Sequence, residues 1–311
     1  MTPRNRRFSP LLLAPMITRF LPRSSPFSPP LGPDFCSGWS VHQTKLDVVL
    51  VNPATRNHSL LPVSPIKYPC RSQTLCEVIV YGFGYNSVAD DYYVVRIAQF
   101  RPQFKSEVQI YSLKLNQWRR SNDFPYRLTS TTHAVFVDGA LNWLVGSRHF
   151  KDVKIASFDL ATEEYRLIEP PGYPTSVYKG ILRVVGRKLC IQCNYSNRHF
   201  TIWVKENYGA QWTKLFSLVH SVDIVSLKPL AFSNDGKKLL LEVEGELVWY
   251  DLQLKVMNII TNPDIPECWK ADVSLESLVK VSRGAVTNIK KVKRKTSKRD
   301  DFLSKGFKLA L

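Results

Sequence analysis

The sequence has few cysteines and no long hydrophobic run. Six cysteines in 311 residues are too few to hold a chain of this size together with disulfides, which favours a reducing compartment. The longest uninterrupted apolar stretches, such as LLLAP, are far shorter than the roughly 20 residues that cross a bilayer. With 44% apolar residues the chain can still bury a sizeable core. These features predict a globular protein outside the membrane.

Catalytic and metal-binding motifs are also missing from the sequence. It contains no G-x-S-x-G elbow, H-E-x-x-H helix or phosphate-binding P-loop, and no two of its six histidines lie closer than sixteen residues. Cys190 and Cys193 form a lone C-x-x-C in a predicted strand, where residues three apart point to opposite faces and do not share a metal ion. We therefore predict no enzymatic activity, no cofactor and no metal site.

The net charge of +17 lies mostly at the two ends of the chain. Residues 1–35 carry +4 and residues 280–311 carry +9, which leaves +4 for the 244 residues between them. The first 35 residues are rich in Arg, Ser and Pro, and they leave two alternatives open: a disordered leader and an organellar targeting peptide. The repeated prolines favour the disordered leader because they interrupt an amphipathic helix.

The C-terminal charge is concentrated in one basic cluster. Such a run fits a solvated tail, a nuclear localisation signal, or a site that holds nucleic-acid phosphates. The cluster has no aromatic residue on which a base could stack, which disfavours nucleic acid as a partner. We assign residues 281–311 to a disordered basic tail and expect the protein in the cytoplasm, the nucleus or both. The cluster consists of Lys290, Lys291, Lys293, Arg294, Lys295, Lys298 and Arg299.

Between its ends the sequence repeats itself. Four stretches align without gaps, with starts 47, 47 and 45 residues apart, and a weaker copy begins at Val48. Three of the four have an aromatic fourth residue, and each ends on a bulky one. The stretches are VQIYSLKLNQW (108–118), IASFDLATEEY (155–165), IWVKENYGAQW (202–212) and LVWYDLQLKVM (247–257). A second series opens at Gly139, Gly186 and Gly236, and Asp precedes two of these glycines as a hairpin signal.

The length of the repeat indicates the fold class. A period near 47 residues holds about four strands of five or six residues with their turns. Units of four strands at this spacing are typical of β-propeller blades. We therefore predict an all-β fold, a β-propeller of four-stranded repeats.

The segment YGFGYNSVADDYYVVRI (81–97) allows three interpretations: a phosphate-binding loop, a pair of catalytic acids, and a hairpin. The dinucleotide fingerprint requires a third glycine where Ser87 stands. Asp90 and Asp91 are sequence neighbours, which face opposite ways in an extended chain. We therefore predict a hairpin, in which Gly82 and Gly84 allow a bend or the close approach of a neighbouring sheet.

Six motifs between residues 47 and 280 resemble the F-box-associated domain of plant F-box proteins, a kelch-like β-propeller. The motifs are VNPATR with LP (51–62), YGFGYNSVADDYYVVRI (81–97), EVQIYSLKLNQWRR (107–120), AVFVDGALNWLV (134–145), IASFDLATEEYRLIEPP (155–171) and VSLESLV (273–279). The resemblance implies a propeller over residues 36–280 that selects substrates for an SCF-type E3 ubiquitin ligase. The first repeat lacks clear opening strands, so an incomplete first blade is expected. The first 35 residues show no helical F-box pattern.

The resemblance leaves two functions open. In one, the propeller recognises a protein substrate for ubiquitination and reaches the SCF adaptor and cullin only if an F-box is supplied upstream. In the other, it is a non-ligase scaffold, or a truncated paralogue that has lost adaptor binding. Both place the partner on loops at one rim of the propeller, because rigid sheets hold such loops in place. The candidate partner-binding residues are Arg148, His149, Phe150, Tyr173 and Tyr178.

Overall fold

The computed structural model describes residues 19–20, 48–52, 57–66, 75–101, 104–129, 134–146, 153–172, 179–196, 199–219, 224 and 226–260. Within these ranges the chain forms nineteen β-strands and no helix, which confirms the predicted all-β class. The described part of the chain accordingly contains no helix long and apolar enough to cross a membrane.

The strands form five antiparallel sheets, each built from strands that are consecutive in the chain. The first sheet contains β1 (Arg19–Phe20), β2 (Val48–Asn52) and β3 (Asn57–Leu60). The second contains β4 (Leu75–Asn86), β5 (Asp91–Arg101), β6 (Lys105–Ser112) and β7 (Gln117–Arg120). The third contains β8 (Val135–Val137), β9 (Ala140–Val145), β10 (Lys154–Asp159) and β11 (Tyr165–Ile168). The fourth contains β12 (Lys179–Val185), β13 (Lys188–Ser196), β14 (His199–Lys205) and β15 (Trp212–Val219). The fifth contains β16 (Leu227–Phe232), β17 (Lys238–Val243), β18 (Glu246–Asp251) and β19 (Met257–Ile259).

The sequence repeats correspond to strand pairs inside these sheets. Each aligned stretch begins in the third strand of a four-stranded sheet and ends in the fourth, and the weaker copy at Val48 covers β2 and β3. Polar side chains close the turns between the paired strands: Asp159 Oδ1 accepts hydrogen bonds from the backbone N–H groups of Ala161 (2.8 Å) and Thr162 (3.1 Å). Asp251 closes the corresponding turn of the fifth sheet in the same way. One period of the sequence is therefore one sheet.

Tight turns join the first two strands of the third and fourth sheets. The φ angles of Asp138 and Gly139 are 46° and 79°, and those of Gly186 and Arg187 are 55° and 68°. Two successive residues with positive φ give a hairpin turn whose twist matches that of the flanking strands. Asp-Gly and glycine-containing pairs adopt this conformation at little cost, which is why the second series of repeats indicated hairpins correctly.

Neighbouring sheets pack face to face around their first strands. The first strands of the second to fifth sheets contact one another, β4 with β8, β8 with β12 and β12 with β16, so these four strands lie innermost. Apolar side chains fill the spaces between sheets, as Ile97 and Phe158 do between the second and third sheets. Each large side chain buried in this way contributes about 1.5–3 kcal/mol. Successive four-stranded sheets in this arrangement form a kelch-like β-propeller, and the first sheet contributes three strands in the described ranges.

Residues 81–97 lie in the β4–β5 hairpin, as predicted, and their glycines allow the third sheet to approach. An added Cβ on Gly84 would lie 2.4 Å from Phe136 Cδ2 and 2.7 Å from Leu160 Cδ1. At Gly82 the added Cβ would lie 2.7 Å from Leu141 Cδ1. All three distances are well below the roughly 3.5–4.0 Å at which carbon atoms make favourable contact. The two glycines therefore set the distance between the second and third sheets.

The two acids of the same hairpin hold its turn and the next strand. Asp90 accepts a hydrogen bond from Tyr85 Oη at 2.5 Å. The Asp91 carboxylate is buried and accepts hydrogen bonds from Ser112 Oγ and, at 2.9 Å, from the backbone N–H of Lys114. The acids thus have different partners, and each takes part in a local structural contact.

Two ion pairs involve residues that join neighbouring sheets. Arg96 and Glu107 are both buried, with Nη2 and Oε1 3.3 Å apart, and Arg96 Nη1 donates to the carbonyl oxygen of Ser64 at 2.6 Å. Ser64 follows β3, so this network connects the first and second sheets. Arg119 of β7 donates two hydrogen bonds to Glu163, which lies in the β10–β11 turn of the third sheet.

Candidate protein-binding groove

The candidate residues from the sequence lie outside the described residues. This holds for Arg148, His149, Phe150, Tyr173 and Tyr178, and equally for the basic cluster at 290–299. These five candidate residues lie in two segments, 147–152 and 173–178, and the strand ends that flank both segments are described. Lys154 pairs with Val145, and Ile155 pairs with Ile168. The strand ends that border residues 146–153 and 169–178 therefore lie at one end of the third sheet.

A groove of about 750 Å³ opens between the third and fourth sheets. One wall is β11 with the residues that follow it, and the other wall is the β14–β15 turn with the strand ends that flank it. Because the two walls come from successive repeats, the packing of the sheets positions them against each other. The groove is lined by Arg166, Leu167, Ile168, Glu169, Pro170, Pro171, Gly172, Trp203, Lys205, Tyr208, Gly209, Ala210, Gln211 and Trp212.

Hydrogen bonds fix two of the aromatic side chains in the groove. Trp212 Nε1 donates to the carbonyl oxygen of Glu169 at 2.8 Å, across the groove. Tyr208 Oη donates to the carbonyl oxygen of Val137 at 2.9 Å and accepts a hydrogen bond from Asn142 Nδ2 at 3.3 Å. Buried Tyr and Trp side chains usually place their polar atoms in this way. The rings are consequently held at defined positions on the walls.

The cations that line the groove lie over these rings. The Arg166 guanidinium lies 3.8 Å from the centre of the Tyr208 ring, and Lys205 Nζ lies 5.5 Å from that of Trp212. Both distances are within the range of cation–π attraction. Lys205 is only 8% exposed, its ammonium donates to the carbonyl oxygen of Ala210, and burial lowers its pKa.

The groove has an excess of unpaired positive charge. In the part of the chain that the structure describes, no carboxylate oxygen lies within 4 Å of Arg166 or of Lys205. Glu169 is the acid among the lining residues, and it is paired with Lys154. The groove therefore presents aromatic rings and two cations to a ligand.

A second, smaller cavity of about 280 Å³ lies beside the groove, at the end of the third sheet that borders the predicted loops. Leu167 lines both cavities. The Arg127 guanidinium, at the edge of this cavity, lies 4.1 Å from the centre of the Phe104 ring. The smaller cavity is lined by Pro125, Tyr126, Arg127, Val145, Gly146, Lys154 and Leu167.

The C-x-x-C pair has a structural role. Cys193 packs between the third and fourth sheets, whereas Cys190 packs between the fourth and fifth. The two thiols therefore lie on opposite faces of one sheet, as predicted, and burial raises the pKa of the Cys190 thiol. Among the described residues no three His, Cys, Asp or Glu side chains come together as a metal site.

One departure from the sequence repeat, at Lys205, coincides with the groove, although the repeat alone did not predict a groove there. The fourth residue of the aligned stretches is Tyr111, Phe158 or Tyr250 in three copies, and it is Lys205 in the copy beside the groove. The three aromatic residues are 3%, 0% and 3% exposed and pack between sheets. The single aligned stretch with a lysine at this position is therefore the stretch that lines the groove.

Comparison with known proteins assigns the family. The F-box protein CPR1 of Arabidopsis thaliana is 34% identical, and the match covers 85% of this chain and 74% of that protein. A second F-box protein of the same plant is 30% identical and is matched over 86% of this chain and 74% of its own length. Among solved structures, an oligogalacturonate lyase in complex with manganese is 11% identical, with a TM-score of 0.43. The match covers 68% of this chain and 58% of the lyase chain. This likeness is too distant to support any conclusion about activity. A profile described as the F-box associated beta propeller domain matches residues 25–262, and the chain belongs to this family.

Proposed function

We propose that this chain is a non-catalytic recognition module that binds substrate proteins for an SCF-type ubiquitin ligase. Membership of the F-box associated family supports a role in protein binding. The groove between the third and fourth sheets supports it further, because Trp212 and Tyr208 are fixed by hydrogen bonds to the backbone oxygens of Glu169 and Val137. Rigid Trp and Tyr side chains in a fixed pocket are the residues that most often carry binding energy at protein interfaces.

Recognition of this kind requires no chemical step. The two walls are parts of packed sheets, so the groove exists before a partner arrives and little ordering free energy is spent on binding. A partner segment in the groove would cover the faces of Trp203, Tyr208 and Trp212 and exclude water from them. The burial of such aromatic area supplies affinity, and the cations and backbone groups at the walls supply specificity.

Trp212→Ala tests the groove against a closely matched control. Trp118 occupies the same last position of an aligned stretch, and its Nε1 likewise donates to a backbone oxygen, that of Pro62, at 2.7 Å. We expect Trp212→Ala to weaken partner binding by about 2 kcal/mol or more, the cost typical of an interface anchor. Trp118→Ala should leave binding unchanged. Equal loss of binding in both variants, measured on purified chains, would contradict the assignment of the groove.

The ligase role is separable from binding. The tagged chain, fused downstream of an F-box, is expressed in plant cells with and without a proteasome inhibitor, and its partners are identified by mass spectrometry. A ligase substrate should accumulate with the inhibitor, carry ubiquitin and have a shorter half-life when the chain is overproduced. Partners that bind but keep their half-life and carry no additional ubiquitin would refute the ligase role and favour the non-ligase scaffold.

A further inference from the structure

We infer that the groove binds an acidic segment of a partner protein, with a carboxylate at Lys205 and Arg166 and an apolar side chain against Trp203 and Trp212. The inference rests on the proposed role in protein recognition and specifies the chemistry of the segment that is recognised. Three independent features of the described residues support it: the repeat, the charge and the shape of the groove.

The repeat shows that Lys205 replaces a core side chain. In each aligned stretch the fourth residue pairs across strands with the eleventh: Tyr111 with Trp118, Phe158 with Tyr165, Lys205 with Trp212, and Tyr250 with Met257. In the second sheet the two rings lie 5.3 Å apart, and in the third 4.7 Å apart. In the fourth sheet the ammonium of Lys205 takes the place of the first ring and lies over the second. The strand pairing of these two residues is the same, but the turn between them differs: the ninth residue has a positive φ in the other three stretches (Asn116, Glu163 and Lys255), and Ala210 does not. A lysine and a different turn together therefore accompany the change from a packed ring to a groove that contains a cation.

The charge at this position is not balanced within the described residues. A lysine as buried as Lys205 is rare unless it is paired with an acid, because removing an ammonium from water is costly. Its Nζ carries three donors, and one of them is directed to the carbonyl oxygen of Ala210. No described carboxylate lies within 4 Å of it. A carboxylate from a partner would supply the missing counter-charge, and a hydrogen bond between an ammonium and a carboxylate is stronger than one between neutral groups.

The lowered pKa of Lys205 is consistent with a site for a carboxylate. Burial lowers the pKa of its ammonium, since the neighbouring rings and backbone solvate the charge less well than water does. A bound carboxylate would raise that pKa again. The protein would therefore hold this cation at a cost to its own stability, which a bound acid offsets.

The shape of the groove favours an extended segment over a small anion. A volume of about 750 Å³ lies within the range of about 300–1,000 Å³ that holds drug-sized ligands, which is more space than a small anion fills. Apolar Trp and Pro side chains line it beside the cations, and Leu167 continues the surface to the smaller cavity. The smaller cavity adds the cation Arg127, whereas its Lys154 is already paired with Glu169. An acidic segment with interspersed apolar residues would place its carboxylates at the cations and its apolar side chains on the Trp, Pro and Leu surfaces.

The test selects random twelve-residue displayed peptides on the purified full chain and measures the selected peptides by fluorescence anisotropy. We expect acidic peptides with aromatic or branched apolar residues, and we expect about 10- to 100-fold weaker binding when their acids are replaced by amides. Lys205→Met should cause a similar loss and should leave the melting temperature unchanged or higher. Lys205→Arg should retain part of the binding.

Lys188→Met is the matched control. It removes the same charge from the neighbouring strand, where Lys188 is paired with Glu206 at 2.7 Å and lines neither cavity. Binding should survive this change, which excludes a general effect of net charge. The inference is overturned if the selection yields no acidic peptides, if Lys205→Met binds them as well as the unaltered chain does, or if only phosphorylated versions bind. In each case capture of partner proteins that depends on Trp212 would still support the proposed function, so the two failures can be told apart.

Discussion

Gly84→Ala tests whether close packing of the second sheet on the third stabilises the propeller. Gly84 lies in β4, and its neighbours across the interface are Phe136 of β8 and the fully buried Leu160. The added methyl carbon would lie 2.4 Å from a ring carbon of Phe136 and 2.7 Å from Leu160 Cδ1. To reach ordinary contact at about 3.5 Å or more, the side chains or strands must move apart by about 1 Å.

The free energy of this change follows from two opposing effects. Overpacking a well-packed interface costs about 1–3 kcal/mol. Alanine also restricts the unfolded chain, which stabilises the fold by about 0.4–1 kcal/mol. The net loss is therefore about 1–2 kcal/mol, which corresponds to a fall of about 2–8 °C in the melting temperature of a domain of 150–250 residues.

The matched control is Gly172→Ala. An added Cβ at Gly172 would meet no atom within 4 Å, and its φ is not positive. This variant should keep or slightly raise the melting temperature, because only the effect on the unfolded chain remains. Thermal unfolding followed by circular dichroism compares the two variants. If both melt at the same temperature, the glycine is not required for the approach of the two sheets, and the reasoning from the added-Cβ distances is wrong.

Three further changes probe other contacts. Glu107→Gln leaves the buried Arg96 guanidinium without its charge partner and should lower the free energy of unfolding in urea by about 3–5 kcal/mol. Arg120→Gln removes an exposed guanidinium 3.9 Å from the same carboxylate and should change that free energy by no more than about 0.5 kcal/mol. Equal losses in the two variants would refute the distinction between the buried and the exposed pair. Burial raises the pKa of Glu163, but hydrogen bonds from its arginine partner and a serine lower it more, so the net pKa lies below the ordinary 4.5. The stability it adds is present above that value and lost as the pH falls through the folded pKa; the melting difference between the unaltered chain and Glu163→Gln should shrink below about pH 4.5, and a constant difference would contradict this. Iodoacetamide at pH 8 should label neither Cys190 nor Cys193 in the folded chain, because both are buried; rapid labelling of either, read by mass spectrometry, would show that the fourth sheet opens.

The sequence predicted those parts of the fold that depend on local pattern. Strand pairs follow from the repeat because every copy supplies its own aliphatic residues and its own polar turn, as Asp159 and Asp251 do. The hairpin at Gly139 follows from Asp-Gly, whose preferred backbone is the one that the turn requires. These features need no information from another repeat, so a single sequence is sufficient for them.

The groove could not be predicted in the same way because its walls come from different repeats. Glu169 and Trp212 are 43 residues apart in the chain and are joined by a hydrogen bond across the groove. The sequence shows that Lys205 departs from the aromatic pattern, but only the packing of the sheets shows that its side chain borders a space. The partner-binding role of the five candidate loop residues stays a prediction, since these residues lie outside the described ranges.

The cross-strand pair of the fourth and eleventh repeat residues has a consequence for protein design. The fourth residue of each aligned stretch pairs with the eleventh and lies at the interface between two sheets. Its side chain can therefore either pack the sheets together or face a ligand. An aromatic ring at this position packs between two sheets, whereas Lys205, followed by a turn in which Ala210 lacks the positive φ of the other copies, borders a groove. A peptide binder with several such grooves could thus be engineered on this scaffold by transferring Lys205 together with the turn that follows it to the positions of Tyr111, Phe158 or Tyr250.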